Sequence, residues 1–292
     1  MLDVCVIIPV RNRPVLLKEA LQSVLASSSL PSQIVVIVDG NQNETEPDQK
    51  AAEHFSNIFR AHQIDYSILT GAGLGPAIAR NTAAARCRCT WIAFLDSDDL
   101  WQKHKLKAQI DYMQKRPFLN ASHCGEVWLK HGSEIRIPHR LRPSPGRPLL
   151  ESLDHCIISV SSVLIRRSTF FELGGFDGNL TVCEDYDFWI RYFLRYTMGM
   201  VLSAKDAQVI KRSSGWTQLS KTQNIDLYRA ESLAKIATKL TVNTDRQLVL
   251  EALAVKWQIV LDQHQKFDLG KNQRFMKLSS IVPALLRQRH RT

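Results

Sequence analysis

Three acidic clusters stand where this sequence could do chemistry. Asp39 ends an apolar run, Asp96, Asp98 and Asp99 crowd into four residues, and Glu184-Asp185 opens an aromatic-rich stretch. Three carboxylates so close repel one another unless a cation or a donor-rich ligand sits among them. Oxygen-only donors suit Mg²⁺ or Mn²⁺, ions that commonly bridge protein carboxylates to substrate phosphates. The plainer reading is a solvated turn in which Asp98 or Asp99 caps the following helix. Asp185, apart from that cluster, is the kind of group that takes a proton from an attacking hydroxyl.

The elements that must position these groups alternate. Val4–Val10, Ile34–Val38, Asp65–Leu69 and Trp91–Leu95 read as strands, the apolar ones buried. Between and after them, Val15–Ser27, Lys50–His62, Pro76–Arg86 and Lys105–Gln114 read as helices. Such alternation predicts a layered α/β fold with a mixed, mainly parallel sheet. In open α/β sheets, ligands bind outside the carboxyl ends of strands, where Asp39 and the Asp96–Asp99 cluster fall. Pro138–Pro148 reads as a surface loop and Ile157–Ile165 as another strand. Ser168–Leu173, Glu184–Tyr196, Tyr228–Leu240, Thr244–Gln265 and Met276–Leu286 read as helices. Pro9-Val10-Arg11-Asn12-Arg13-Pro14 carries no glycine after the first strand, which excludes a dinucleotide-binding G-x-G-x-x-G loop there. Gly71-Ala72-Gly73-Leu74-Gly75 is either a phosphate loop or a turn.

The 292 residues carry a net charge of +10, which by itself suggests a polyanionic partner. Its distribution argues otherwise. Residues 1–210 hold 23 basic and 22 acidic side chains, and residues 211–292 hold 15 and 6. The first part is a near-neutral body, no nucleic-acid-binding motif is present, and nucleic acid is not expected as a partner. The basic end, with apolar Leu278, Ile281, Val282, Leu285 and Leu286 beside Arg287, Arg289 and Arg291, suits either contact with an anionic membrane surface or a packing helix with a frayed charged end. No apolar run approaches the roughly 20 residues that span a bilayer. Cys5 and Cys156 lie in apolar runs and read as free buried thiols, and Cys87-Arg-Cys89 lacks the second pair of a zinc site. Without a visible signal peptide, the expected location is the cytoplasm, at the inner face of the membrane.

An ordered series of motifs adds to this. VIIPVRNR (6–13), VDGN (38–41), ARNT (79–82), FLDSDDLW (94–101), GGFD (174–177) and CEDYDFWIR (183–191) together resemble the inverting GT-A glycosyltransferases of family 2 over about residues 3–215. SHCGEVW (122–128) resembles one bacterial subset of that family. The resemblance implies a three-layer GT-A domain over 1–215 with a basic helical extension over 216–292. It implies transfer of a sugar from a nucleoside diphosphate, UDP before others, to a hydroxyl on a glycan, lipid-linked or protein acceptor of the cell envelope. Pro9, Arg11, Asp39 and Arg80 would line the nucleotide-sugar pocket, with Asp39 on the base and Arg80 near the diphosphate. Asp96, Ser97 and Asp98 would form the DxD motif, with Asp98 and Asp96 meeting Mn²⁺ or Mg²⁺. Asp185 would be the catalytic base. Trp101, His123, Glu126 and Glu184 are candidates for the acceptor side. Trp216 stands where this subset often has histidine. Two other readings use the same carboxylates: a nucleotidyltransferase, and a sugar-nucleotide-binding module without activity.

Overall fold

The computed structural model describes residues 1–201, 208–213, 222–241 and 243–290. Seven strands form the main sheet, in the order β10-β6-β9-β4-β1-β2-β3. They are β1 (Leu2–Val10), β2 (Pro31–Val38), β3 (Asp65–Thr70), β4 (Trp91–Phe94), β6 (Ala121–Cys124), β9 (Val163–Arg166) and β10 (Gly199–Val201). All neighbours run parallel except β9, which is antiparallel to both β4 and β6. A second sheet holds β5 (Leu100–Trp101), β11 (Val209–Ser213), β7 (Glu126–Lys130) and β8 (Ser133–Ile135), in that order.

The period of the strands builds the layers. Successive side chains of a strand point to opposite faces. Val4, Val6, Ile8 and Val10 of β1 join one core with Ile34, Val36 and Val38 of β2, while Cys5 and Ile7 join the other with Val35 and Ile37. Strands buried on both faces read as unbroken Val/Ile runs, which is why β1 and β2 are legible. Helices α1 (Pro14–Leu25), α2 (Gln42–Glu53), α3 (Ser56–Ala61) and α5 (Lys105–Gln114) cover one face. The other carries α4 (Pro76–Arg86), α6 (Leu149–Asp154), α7 (Arg167–Glu172) and α8 (Glu184–Phe193).

Helices α9 (Ile225–Lys239), α10 (Thr244–Phe267) and α11 (Gln273–Leu286) close that second core. Leu227, Ala230 and Leu233 share it with Phe188 and Trp189, and Trp257 stacks on Phe275 at 5.7 Å. The expected boundary between residues 215 and 216 lies outside the described residues, as does Trp216.

Several expectations change. The helix over Lys50–His62 is two helices, and the first begins at Gln42. The strand over Ile157–Ile165 starts only at Val163, because Ser162 donates its amide to Ser159 in a tight turn. Cys5 is not a free thiol: it forms a disulfide with Cys87, 82 residues away. Adjacency of β1 and the end of α4 brings the two cysteines together, with Cα atoms 5.8 Å apart. Among the described residues, no helix is long and apolar enough to cross a membrane.

Candidate active site

Register decides which residues meet. Val10 of β1 lies beside Val38 of β2, Val38 beside Thr70 of β3, and Ile7 of β1 beside Phe94 of β4. The loops that follow therefore open along one edge, bringing Arg11, Arg13, Asp39, Gly71–Gly75 and Asp96–Asp99 together. A shallow cavity of about 260 Å³, lined by Asp3, Ser32, Gln33 and Cys89 among others, lies at the opposite edge.

Asp39 is buried at 5% exposure, and its carboxylate accepts the amides of Gly73 (2.8 Å) and Gly75 (3.0 Å). The glycine-rich segment is thus a loop folded onto Asp39. A Cβ on Gly71 would lie 2.4 Å from Asp39 Oδ1, so the close approach requires glycine there. Pro9 is a half-buried residue of β1 beside Ile37 of β2. Arg11 is exposed and pairs loosely with Glu44 at 3.6 Å.

The Asp96–Asp99 loop is fixed from below. Ser161 accepts the Asp96 amide at 3.0 Å and donates its hydroxyl to Asp99 at 2.7 Å. Burial pushes Asp99 up to about 7, Lys211 works the other way, and the Asp96 and Asp98 charges add to the rise. Ser97 is buried. Arg13 donates to the Asp98 carboxylate at 2.6 Å, from a loop whose Arg13 amide is held by buried Asp48 at 2.8 Å. Arg212 donates to the Asp98 carbonyl at 2.7 Å and pairs with Glu19.

Arg80, on α4 and 5% exposed, binds two carboxylates. Nη2 donates to Asp96 at 2.6 Å and Nη1 to Glu184 at 2.7 Å. Burial alone would raise Asp96, but the charge and hydrogen bond of Arg80, helped by Lys211 and Arg13, hold it below the usual carboxylate range. Glu184 is pushed up to about 7 by burial and by Asp185, against the pull of Arg80. Glu184 thus reaches inward and is no surface of an acceptor groove. Asp185, the next residue, is half-buried and accepts the Tyr186 amide at 2.7 Å. The left-handed Cys183 (φ 64°) starts α8 sharply before the pair. Asp187 serves packing: it binds Arg191 of its own helix and accepts Ser232 of α9 at 2.8 Å. Trp189 and Phe193 lie in the core.

Lys211 is the residue that the sequence reading missed. Counting charge from residue 211 puts it in the basic end, yet β11 carries it, half-buried, toward the acidic loops. Burial opposes its charge, and Glu126, Asp99, Asp96 and Asp185 more than restore it. Its ammonium donates to Ser159 at 3.1 Å. The only sequence signal is a cation directly after the apolar pair Val209-Ile210.

Two acceptor-side candidates are corrected. Trp101 is 4% exposed, its indole N–H donates to the Ser161 carbonyl at 2.9 Å, and Lys105 sits over its ring at 3.9 Å. β5 pairs it with Val209, so no ring face is open to a sugar. His123 is 1% exposed in β6, and burial pushes it down to about 4, which makes it a neutral core histidine. Glu126 remains at the site, partly exposed, accepting the Trp128 indole N–H at 2.7 Å.

Among the described residues, no three His, Cys, Asp or Glu side chains gather as a metal cage. Mg²⁺ and Mn²⁺ do not need one: one or two carboxylates plus substrate phosphates suffice for Mg²⁺, and carboxylate oxygens suit Mn²⁺ as well. The donor chemistry fits such an ion at Asp98. Each of the two carboxylates also pairs with an arginine at 2.6 Å, Asp98 with Arg13 and Asp96 with Arg80.

Comparison with known proteins gives the family and the fold. The profile of glycosyl transferase family 2 matches residues 5–173. An uncharacterized glycosyltransferase of Rickettsia felis is 28% identical over 212 residues, covering 73% of this chain and 33% of that protein. The chain spans a third to about three-fifths of the length of such curated relatives. S. aureus TarS 1–349, solved in complex with UDP-GlcNAc, superposes with a TM-score of 0.67 at 17% identity, covering 91% of this chain and 73% of that one. The mannosyltransferase PcManGT of Pyrobaculum calidifontis, solved with GDP-Man and Mn²⁺, gives 0.59 at 14%, covering 97% and 85%. At such identities these two establish the shared GT-A fold.

Proposed function

The chain belongs to glycosyl transferase family 2, and from that premise we propose that it moves a sugar from a nucleoside diphosphate to an acceptor hydroxyl, inverting the anomeric centre, with Asp185 as the base. The observation that carries this reading is the Asp96–Arg80–Glu184 bridge, which locks the donor-side loop to the helix turn bearing Asp185. The acceptor hydroxyl attacks the anomeric carbon while Asp185 takes its proton, and the bond to the diphosphate oxygen breaks. One displacement inverts the centre and needs no carboxylate nucleophile, in contrast to retaining hydrolysis.

Donor roles follow from placement. Asp39 and its clamped glycines, with Pro9 and Arg11, form the nucleoside end of the pocket. Ser97 and Asp98 sit where the diphosphate would pass, and Arg80 acts through Asp96 and not as a free phosphate ligand. Asp98 would hold the divalent ion together with the phosphates, and a bound ion supplies charge stabilisation to the leaving group. The neighbours solved with UDP-GlcNAc and with GDP-Man and Mn²⁺ support a nucleotide-sugar and a divalent metal, and we take a UDP-sugar as the first candidate. Glu126 and Lys211 face the acceptor side.

We further place the protein at an anionic membrane surface, on the cytoplasmic face, in cell-envelope glycan assembly. The support is the outer side of α11, where Met276 is 51% and Ile281 37% exposed beside Lys277.

The test is a panel of UDP-, GDP- and dTDP-sugars with and without Mn²⁺, read by thermal shift and nucleotide release. One donor should raise the Tm and release its nucleotide only with metal, and Asp98→Ala should abolish the metal response. No response to any donor would reject the reading.

A further inference from the structure

Arg13 meets Asp98 from a clasped backbone. It is the N-cap of α1, and its carbonyl accepts the Leu17 amide at 2.9 Å. Its own amide, at 2.8 Å, and that of Asn12 both donate to the carboxylate of Asp48, a residue of α2 with no exposed surface. Asn12 takes the left-handed conformation, φ 53°, which is uncommon outside glycine. With both backbone groups of Arg13 engaged, its side chain is the part left to change partners, and it donates to Asp98 at 2.6 Å. Asp98 is held from behind as well. Arg212 donates to its carbonyl at 2.7 Å and pairs with Glu19 of α1.

Arg13, Arg80 and Arg212 all bind the Asp96–Asp99 loop, and an incoming cation would affect them differently. Arg80 spends both terminal nitrogens on Asp96 and Glu184, with 6% of its side chain exposed. Arg212, 15% exposed, grips the loop through a backbone carbonyl. Among the described residues, Arg13 is the one that pairs with the Asp98 carboxylate, and at 25% it is the most exposed of the three. An ion pair with that access to water is weak. A divalent ion attracts the same carboxylate about twice as strongly at equal distance. Ion and guanidinium repel each other, so the Asp98 oxygens do not keep both. Because its backbone stays clasped, a displaced guanidinium remains within a side chain's length of the ion. On the glycosyltransferase reading, the anion that accompanies the ion is a diphosphate, and a guanidinium fork matches phosphate oxygens at two points.

We propose that Arg13 is the counter-ion that closes the metal site of the nucleotide-free protein: it occupies Asp98 until a divalent ion and a nucleoside diphosphate arrive together, then moves to the phosphates. Arg13 thereby favours uptake of ion and nucleotide as a pair over binding of the ion alone. This rests on the glycosyltransferase reading with its ion at Asp98. It gives the donor diphosphate a cation that Arg80, held by Asp96 and Glu184, does not supply.

The test measures Mn²⁺ binding by the full chain without nucleotide, from the electron paramagnetic resonance of the free ion. Arg13→Gln should bind Mn²⁺ about fivefold more tightly than the parent, the factor that a partly exposed pair is worth. Arg11→Gln removes the same charge from the same loop, at a side chain paired with Glu44, and should leave the affinity unchanged. Isothermal titration with UDP and with GDP at saturating Mn²⁺ supplies the second readout. Whichever nucleotide the parent binds, Arg13→Gln should hold it about tenfold less tightly. A gain for the ion with a loss for the nucleotide is a split that misfolding does not produce. Mn²⁺ affinity in Arg13→Gln no higher than the parent's, an equal gain in Arg11→Gln, or undiminished nucleotide affinity would overturn the proposal and leave the glycosyltransferase reading standing. A parent that binds neither Mn²⁺ nor either nucleotide would overturn that reading, and the proposal with it.

Discussion

Arg80 donates to Glu184 across 2.7 Å, joining α4 to the first turn of α8 one residue before Asp185. The same guanidinium holds Asp96 at 2.6 Å. Replacing Arg80 by Ala strands buried Glu184 and leaves half-buried Asp96 unpaired, and breaking a buried pair such as that with Glu184 costs about 3–5 kcal/mol. Chemical denaturation should show that loss for Arg80→Ala and a smaller one for Glu184→Gln, which leaves no unpaired charge at that position. An Arg80→Ala chain as stable as the parent would mean that the bridge does not hold these loops.

Asp39 and the glycine loop form a second clamp. In Gly71→Ala the new methyl would collide with the Asp39 carboxylate and displace it from the Gly73 and Gly75 amides. Two hydrogen bonds to a charged acceptor are at stake, so donor affinity should fall about tenfold or more. Isothermal titration with the responding nucleotide-sugar measures this, and turnover at saturating donor should change little. Unaltered donor affinity would remove Asp39 from the nucleoside pocket.

His123 makes stability depend on pH. Burial holds it down to about 4, against an ordinary value of 6.5, with a backbone hydrogen bond to Cys124 acting weakly in the other direction. Between those values the unfolded chain takes up a proton that the folded chain refuses, so stability falls as pH drops from about 6.5 to 4. The loss amounts to no more than about 3 kcal/mol. Melting curves across that range should show a shallower acid decline for His123→Leu than for the parent. Parallel declines would indicate that His123 is reached by solvent.

The outer side of α11 can be tested without disturbing the core, since Phe275, Leu278, Val282 and Leu285 point inward. Met276→Ser, Lys277→Glu and Ile281→Ser together should reduce sedimentation with phosphatidylglycerol vesicles by about tenfold. Equal sedimentation of variant and parent would place membrane contact elsewhere or nowhere.

Much of the fold is written in local pattern. The Val/Ile runs of β1 and β2 and the spans of α4 and α5 follow directly from periodicity, and Asp39 and Asp96–Asp99 follow from where those strands stop. The short strands do not announce themselves. β6, β10 and β11 hold three to five residues of mixed character and exist through register with their neighbours. That is why Lys211 looked like part of a basic end: only the pairing of β11 with β5 and β7 carries it among the carboxylates. Trp101 and His123 were assigned to the acceptor side from their neighbours in sequence, while burial, which sequence does not display, makes them core. The Cys5–Cys87 pair is likewise a product of tertiary adjacency, since nothing in an 82-residue spacing marks it.

The central claim is that Asp185 removes the acceptor proton while the donor is held independently of it. The direct measurement pairs donor titration with transfer kinetics for Asp185→Asn, using the nucleotide-sugar and acceptor that the parent accepts. Donor affinity should stay within about twofold of the parent, and kcat should fall by 10²-fold or more, as for a lost general base. Turnover at the parental rate, or a loss explained wholly by donor affinity, would contradict the assignment.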